Sequence, residues 1–145
     1  MVNFFSSDQE AAIIDAIRQA ELATSGEIRV HLEMDAKRGA LVEAQRVFNK
    51  LGMQRTKDRN GVLILLEPDR KEFAVIGDSG INEVVPEGFW DDSRNLMQEH
   101  FRRGDFVGGL LPAIARIGAQ LSEFFPYDAA TDTNELPDDI SYGNQ

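Results

Sequence analysis

Carboxylates are the groups in this chain with the most chemical potential. It has 25 Asp and Glu residues against 15 Lys and Arg, two histidines and no cysteine, for a net charge of −10. Without cysteine, thiolate zinc sites, iron–sulfur clusters, disulfide scaffolds and cysteine nucleophiles are excluded. Oxygen donors with so few imidazoles suit a hard cation, Ca2+ or Mg2+, rather than zinc or copper. Glu21, Glu27, Asp78, Asp91 and Asp92 stand where loops meet elements. Carboxylates brought together without bases cannot all stay ionised unless water, hydrogen bonds or a cation compensates. The same positions also suit acids that cap helices and oppose the helix dipole, and pattern alone fits that reading better.

Other motifs are sparser. His31-x-Glu33 puts two polar side chains on one strand face, and without the cysteine pair of a deaminase it reads as a solvated or ion-paired face. His100 reads as a boundary residue on its helix, and Arg102-Arg103 as partners of a helix C-terminus. The serines lack a nucleophile elbow, and there is no Walker loop, dinucleotide fingerprint or EF-hand spacing.

The elements that position these residues follow from hydrophobic period. Ser6 or Ser7 caps a helix over 8–23, with Glu10 completing a capping box. Residues 27–34 alternate, Ile28, Val30 and Leu32 against Glu27, Arg29, His31 and Glu33, which is a strand with one polar face near a sheet edge. Helical spacing covers 40–52. Gly61 to Leu66 is apolar throughout, a strand buried on both faces. A tight turn at Pro68–Lys71 makes 72–76 its hairpin partner. Two more helices span about 88–102 and up to 124.

The order is helix, strand, helix, strand, strand, helix, helix: an α/β sandwich with a mixed sheet flanked by helices. The crossover from 27–34 through 40–52 to 61–66 makes those strands parallel. The start of the first strand, the approach to the second and the exit of the third then share one rim. Glu27, Asn60 and Asp78 lie on it, with Glu21 close by and Asp91 or Asp92 within reach. Arg55, Lys57 and Arg59 precede the second strand at the same rim.

The ordered set of short motifs resembles the TPM domain family in its small stand-alone bacterial form. The pieces are Glu21-Leu-Ala-Thr-Ser-Gly-Glu27-Ile-Arg-Val30, Asn60-Gly61-Val-Leu-Ile-Leu-Leu66 and Gly77-Asp78-Ser-Gly80-Ile81. Phe89-Trp90, Phe101-Arg-Arg-Gly104-Asp-Phe106 and Gly118…Leu121…Phe125-Pro126 follow in the family's order, so the likeness spans about 4–126. It implies a small α/β sandwich with helices on both sides of a mixed sheet. Members include a plant thylakoid-lumen protein with acid phosphatase activity, photosystem II repair factors and a modulator of acetylcholine receptors. The resemblance also implies Ca2+ at an acidic pocket, carried here by Asp78 first, then Asp91 or Asp92, then Glu21 and Glu27, with Mg2+ a weaker candidate.

The functional expectation is a calcium-binding module, accessory to a protein partner. The alternatives are a metal-dependent acid phosphatase, with an Asp nucleophile beside the basic loop, and a metal-free interaction adaptor. The −10 charge argues against nucleic acid and anionic lipid. No run approaches the roughly 18 apolar residues of a membrane span. The N-terminus lacks the basic start and apolar stretch of a signal peptide, so a soluble, cytoplasmic protein is expected. The division is a domain over 1–126 and an acidic tail over 127–145. The tail, with Asp128, Asp132, Glu135, Asp138 and Asp139 and no base, is expected to be flexible, and its loss to leave the thermal midpoint nearly unchanged.

Overall fold

Hydrophobic period sets the element boundaries to within a few residues of expectation. The structure, a computed structural model, describes residues 4–127 and 139–143. Helix α1 (Ser7–Glu21) is capped by Ser6, whose hydroxyl accepts from Gln9 N at 3.1 Å while the Gln9 side chain accepts from Ser6 N at 2.9 Å. The box partner is therefore Gln9 and not Glu10, because the cap sits at the first of the two serines. Strand β1 (Glu27–Leu32), helix α2 (Ala40–Lys50), strand β2 (Gly61–Glu67) and strand β3 (Glu72–Gly77) follow. A four-residue helix α3 (Ser79–Asn82) precedes α4 (Asp91–Phe101) and α5 (Phe106–Phe124).

β1 and β2 run parallel, from Glu27 opposite Gly61 to Leu32 opposite Leu66. β2 and β3 are antiparallel through a 3-10 turn at Pro68–Arg70, closed by Lys71 in the left-handed region. All of β2 is buried, as its continuous apolar run requires. One face of the sheet packs Ile28, Val30, Leu32, Val62, Ile64, Leu66 and Val75 under α1, α4 and α5. The other packs Leu63, Leu65 and Ala74 under α2. The result is the expected layered α/β sandwich.

The tail departs from expectation. Residues 139–143 return to the sheet, and Ser141–Tyr142 forms a fourth strand, β4, parallel to β1. The sheet order is β3-β2-β1-β4, so β1 is an inner strand where β4 pairs with it. Ile140 is buried in the main core, Gly143 N donates to Leu32 O at 2.8 Å, and the Tyr142 hydroxyl donates to the Glu10 carboxylate. One apolar side chain and the backbone bonds that continue the ladder hold this short segment down. The remainder of the expected flexible tail, 128–138 and 144–145, lies outside the described residues.

Candidate functional site

The rim at the start of β1 and β2 and the end of β3 is assembled as the strand directions require. Glu27 N donates to Asn60 O at 3.3 Å, and Asp78 N donates to Gly61 O at 2.9 Å. Asp78 follows β3 and caps α3, its Oδ1 accepting from Ser79 N at 2.7 Å. Both of its oxygens also accept from Arg59, Oδ2 from Nε at 2.8 Å and Oδ1 from Nη2 at 2.9 Å. The Asp78 side chain is only 5% exposed, whereas that of Arg59 is 49% exposed. The carboxylate is thus sunk into the rim and its guanidinium lies across the opening. Asp78 holds the Arg59 guanidinium even more firmly protonated than usual.

Arg59 has a positive φ of 51°. Its carbonyl accepts from Gly80 N at 2.8 Å. A Cβ at Gly80 would fall 2.1 Å from the Asp58 carbonyl, so only glycine lets α3 approach this loop. Arg59 and Asp78 line a cleft of ≈ 270 Å³ against the C-terminal end of α2.

The other four predicted acids take separate places. Glu21 turns back from the end of α1, its Oε2 accepting from Ile28 N at 2.9 Å. Glu27 is buried at the start of β1. Asp91 and Asp92 occupy the exposed first turn of α4, where negative charge suits the helix dipole. Asp91 lies 4.0 Å from Arg94, and Asp92 accepts from Arg116 of α5 at 2.5 Å. Trp90, just before them, packs against Gly77, which sets the start of α4 beside the end of β3. Among the described residues, no three carboxylate or imidazole groups converge as a metal-holding group.

A second polar constellation lies on the α2 side of β1. His31 Nε2 is 2.9 Å from Glu33 Oε1, and His31 Nδ1 is 2.7 Å from Ser141 Oγ. Glu33 only accepts, so the proton sits on Nε2 of the neutral ring and Nδ1 accepts the serine hydroxyl. Burial lowers the His31 pKa, and the Glu33 hydrogen bond opposes that shift. Arg46 of α2 donates to Glu43 Oε1 at 2.5 Å and lies 4.0 Å from Glu33. Of the expected solvated or ion-paired face, the pairing is present in His31–Glu33 and Arg46–Glu33, but the face is buried. Ser141 was missed altogether. The available signal was Ile140-Ser141-Tyr142 before Gly143, a strand-like triplet too short to show a period.

Known proteins bear on this geometry. The profile of the TPM domain matches residues 1–120. The chain belongs to the TPM domain family. This TPM domain is similar to the NMR structure of the BA42 protein from the psychrophilic bacterium Bizionia argentinensis. The two share 46% identity over 97% of this chain and 96% of that one, with a TM-score of 0.90. It also shares its fold with the N-terminal domain of the cg2496 protein from Corynebacterium glutamicum, at 17% identity and a TM-score of 0.64 over 81% and 74% of the two chains. An N-terminal domain from P. gingivalis aligns at 21% identity and a TM-score of 0.67 over 83% and 78%. No curated protein matches. No helix among the described residues of this TPM domain is long and apolar enough to cross a membrane.

The two polar sites have different chemical capacities. The serine, histidine and glutamate form a hydrogen-bonded chain, but all three are buried and Ser141 Oγ also lies 3.4 Å from Val30 O. That arrangement ties β4 to β1 rather than presenting a nucleophile. At the rim, the Arg59 guanidinium is half exposed while its carboxylate partner is buried, so Arg59 can leave for solvent only where another cation takes its place. The buried Asp78 cannot be left without a positive partner.

Proposed function

We propose that this TPM domain is a non-catalytic binding module whose Asp78 rim takes a hard divalent cation, Ca2+ ahead of Mg2+, and presents the loaded rim to a protein partner. The observation that carries this reading is a buried carboxylate held in two hydrogen bonds by a half-exposed guanidinium. Arg59 acts as the internal counter-ion, and a divalent cation replaces it. Asp78 is the central ligand. Glu21, Glu27, Asp91 and Asp92 take separate places, so the ion's remaining oxygens would come from water or the partner. The phosphatase alternative is weaker, because the hydroxyl that stands beside an imidazole, Ser141 Oγ next to His31, is buried.

Calorimetric titration of the metal-stripped protein with Ca2+, with Mg2+ as control, tests the reading. The wild type is expected to bind saturably. Asp78→Asn loses that binding, and Arg59→Gln, which removes the competing cation from a buried carboxylate, tightens it by at least about tenfold. Absence of binding heat in both the wild type and Arg59→Gln overturns the proposal. So does an unchanged affinity in Asp78→Asn.

A further inference from the structure

The far end of β3, about 17 Å from the Asp78 rim along an extended strand, borders a larger cleft. It has a volume of ≈ 510 Å³ and opens between the Pro68–Arg70 turn and the corner joining α4 to α5. Its wall is aromatic. Phe73 and Phe101 meet edge to face at 5.2 Å between ring centroids, and Phe101 and Phe106 lie 5.1 Å apart at an interplanar angle of 34°. All three rings are only partly buried, although they adjoin the main core.

Two cations line the same cleft. Lys71 is fixed by the left-handed backbone of the hairpin turn, and Arg102 by the C-terminus of α4. Both are exposed, and neither has an ion-pair partner among the described residues. In a chain with 25 acids and 15 bases, two neighbouring unpaired bases are a local reversal of sign. The acid that also lines the cleft, Glu72, is engaged elsewhere, its Oε2 lying 3.8 Å from Arg70. Strand alternation sends it to the α2 side of the sheet, where its Oε1 accepts from Ala40 N at 2.9 Å.

We infer that this cleft binds a small aromatic carboxylate, with its ring against Phe73, Phe101 and Phe106 and its charge toward Lys71 and Arg102. The volume lies in the ordinary range for small-molecule sites, whose walls are mostly apolar with a few placed polar groups. Phenyl rings favour edge-on and offset contact with a further ring. Guanidinium and ammonium groups at the mouth favour a carboxylate through charge-assisted hydrogen bonds. The inference stands apart from the cation reading, because it shares no residue with the Asp78 rim.

The test titrates the full-length protein with naphthoate, its neutral counterpart naphthamide and the aliphatic decanoate, following backbone amide shifts by NMR. Naphthoate is expected to bind saturably, with the largest shifts at 71–73 and 101–106. The double variant Lys71→Gln/Arg102→Gln changes only exposed side chains, so the fold is retained. It should weaken naphthoate about five- to tenfold, two exposed charge contacts' worth, and leave naphthamide unchanged. Four results overturn the proposal: no saturable binding, shifts centred elsewhere, equal loss for the neutral amide, or decanoate binding as tightly as naphthoate.

Discussion

Glu67 has two buried carboxylate oxygens with no hydrogen-bond partner among the described residues, and Arg70 Nε stands 3.5 Å away. Burial, reinforced by Glu72, Glu43 and Glu33 and opposed by Arg70, pushes its pKa up to about 7. The sign follows from proton counting. Between the ordinary value of 4.5 and about 7 the folded chain holds a proton that the unfolded chain has released. Stability therefore falls as pH rises through that window. Glu67→Gln removes the ionisable group, so it should raise stability above pH 7 by about 1–3 kcal/mol and leave it little changed in mild acid. Thermal melts on either side of the window check this; equal gains at both ends would place the effect in packing. The sequence made Asp78 and Arg59 legible as rim neighbours, because strand direction fixes which chain ends meet. It could not show that they pair with each other, since pattern locates a backbone and not a side chain's partner.

Gly118 lies where α5 crosses α1. A Cβ there would fall 2.6 Å from Ala20 Cβ and 3.0 Å from Ala20 Cα. Replacing a helix-interior glycine by alanine ordinarily stabilises by about 0.5–1 kcal/mol. Here the order inverts: Gly118→Ala is expected to destabilise by about 1–3 kcal/mol through overpacking. Adding Ala20→Gly should recover only part of that loss, since the Ala20 backbone remains close. Denaturant midpoints of the two single variants and the double variant measure the coupling. The four long helices were legible from their 3.6-residue period, β1 from alternation, β2 from its continuous apolar run and β3 from the tight turn before it, whereas the four-residue α3 was not. β4 was not, because a two-residue strand has no period and follows residues whose acidity reads as solvated tail. Asp91 and Asp92 show the opposite difficulty: their types suit a ligand and a helix start equally, and in this fold they occupy the first turn of α4.

At the scale of the molecule, the end of the described chain belongs to the sheet. Ile140 enters the main core, Ser141 meets His31, and Asp139 partly offsets the burial that lowers the Arg29 pKa. Deleting 139–145 should therefore lower the thermal midpoint by roughly 5–10 °C, from about 2–3 kcal/mol of lost burial and hydrogen bonding. This revises the expectation drawn from composition alone. An unchanged midpoint in calorimetry would show that β4 contributes nothing to stability.

The parallel pairing of β4 with β1 also orders events in time. His31 and Ser141 are partners across 110 positions, whereas β2 and β3 are joined by a single short turn. On a nascent chain leaving the ribosome, β1, β2 and β3 can meet while residue 141 is still untranslated. Until that residue emerges, the polar face of β1 with His31 and Glu33 has no fourth strand beside it. Closure of the sheet is thus a late event in biosynthesis, and a chain interrupted before it would expose a bare strand edge of the kind that invites pairing with other chains.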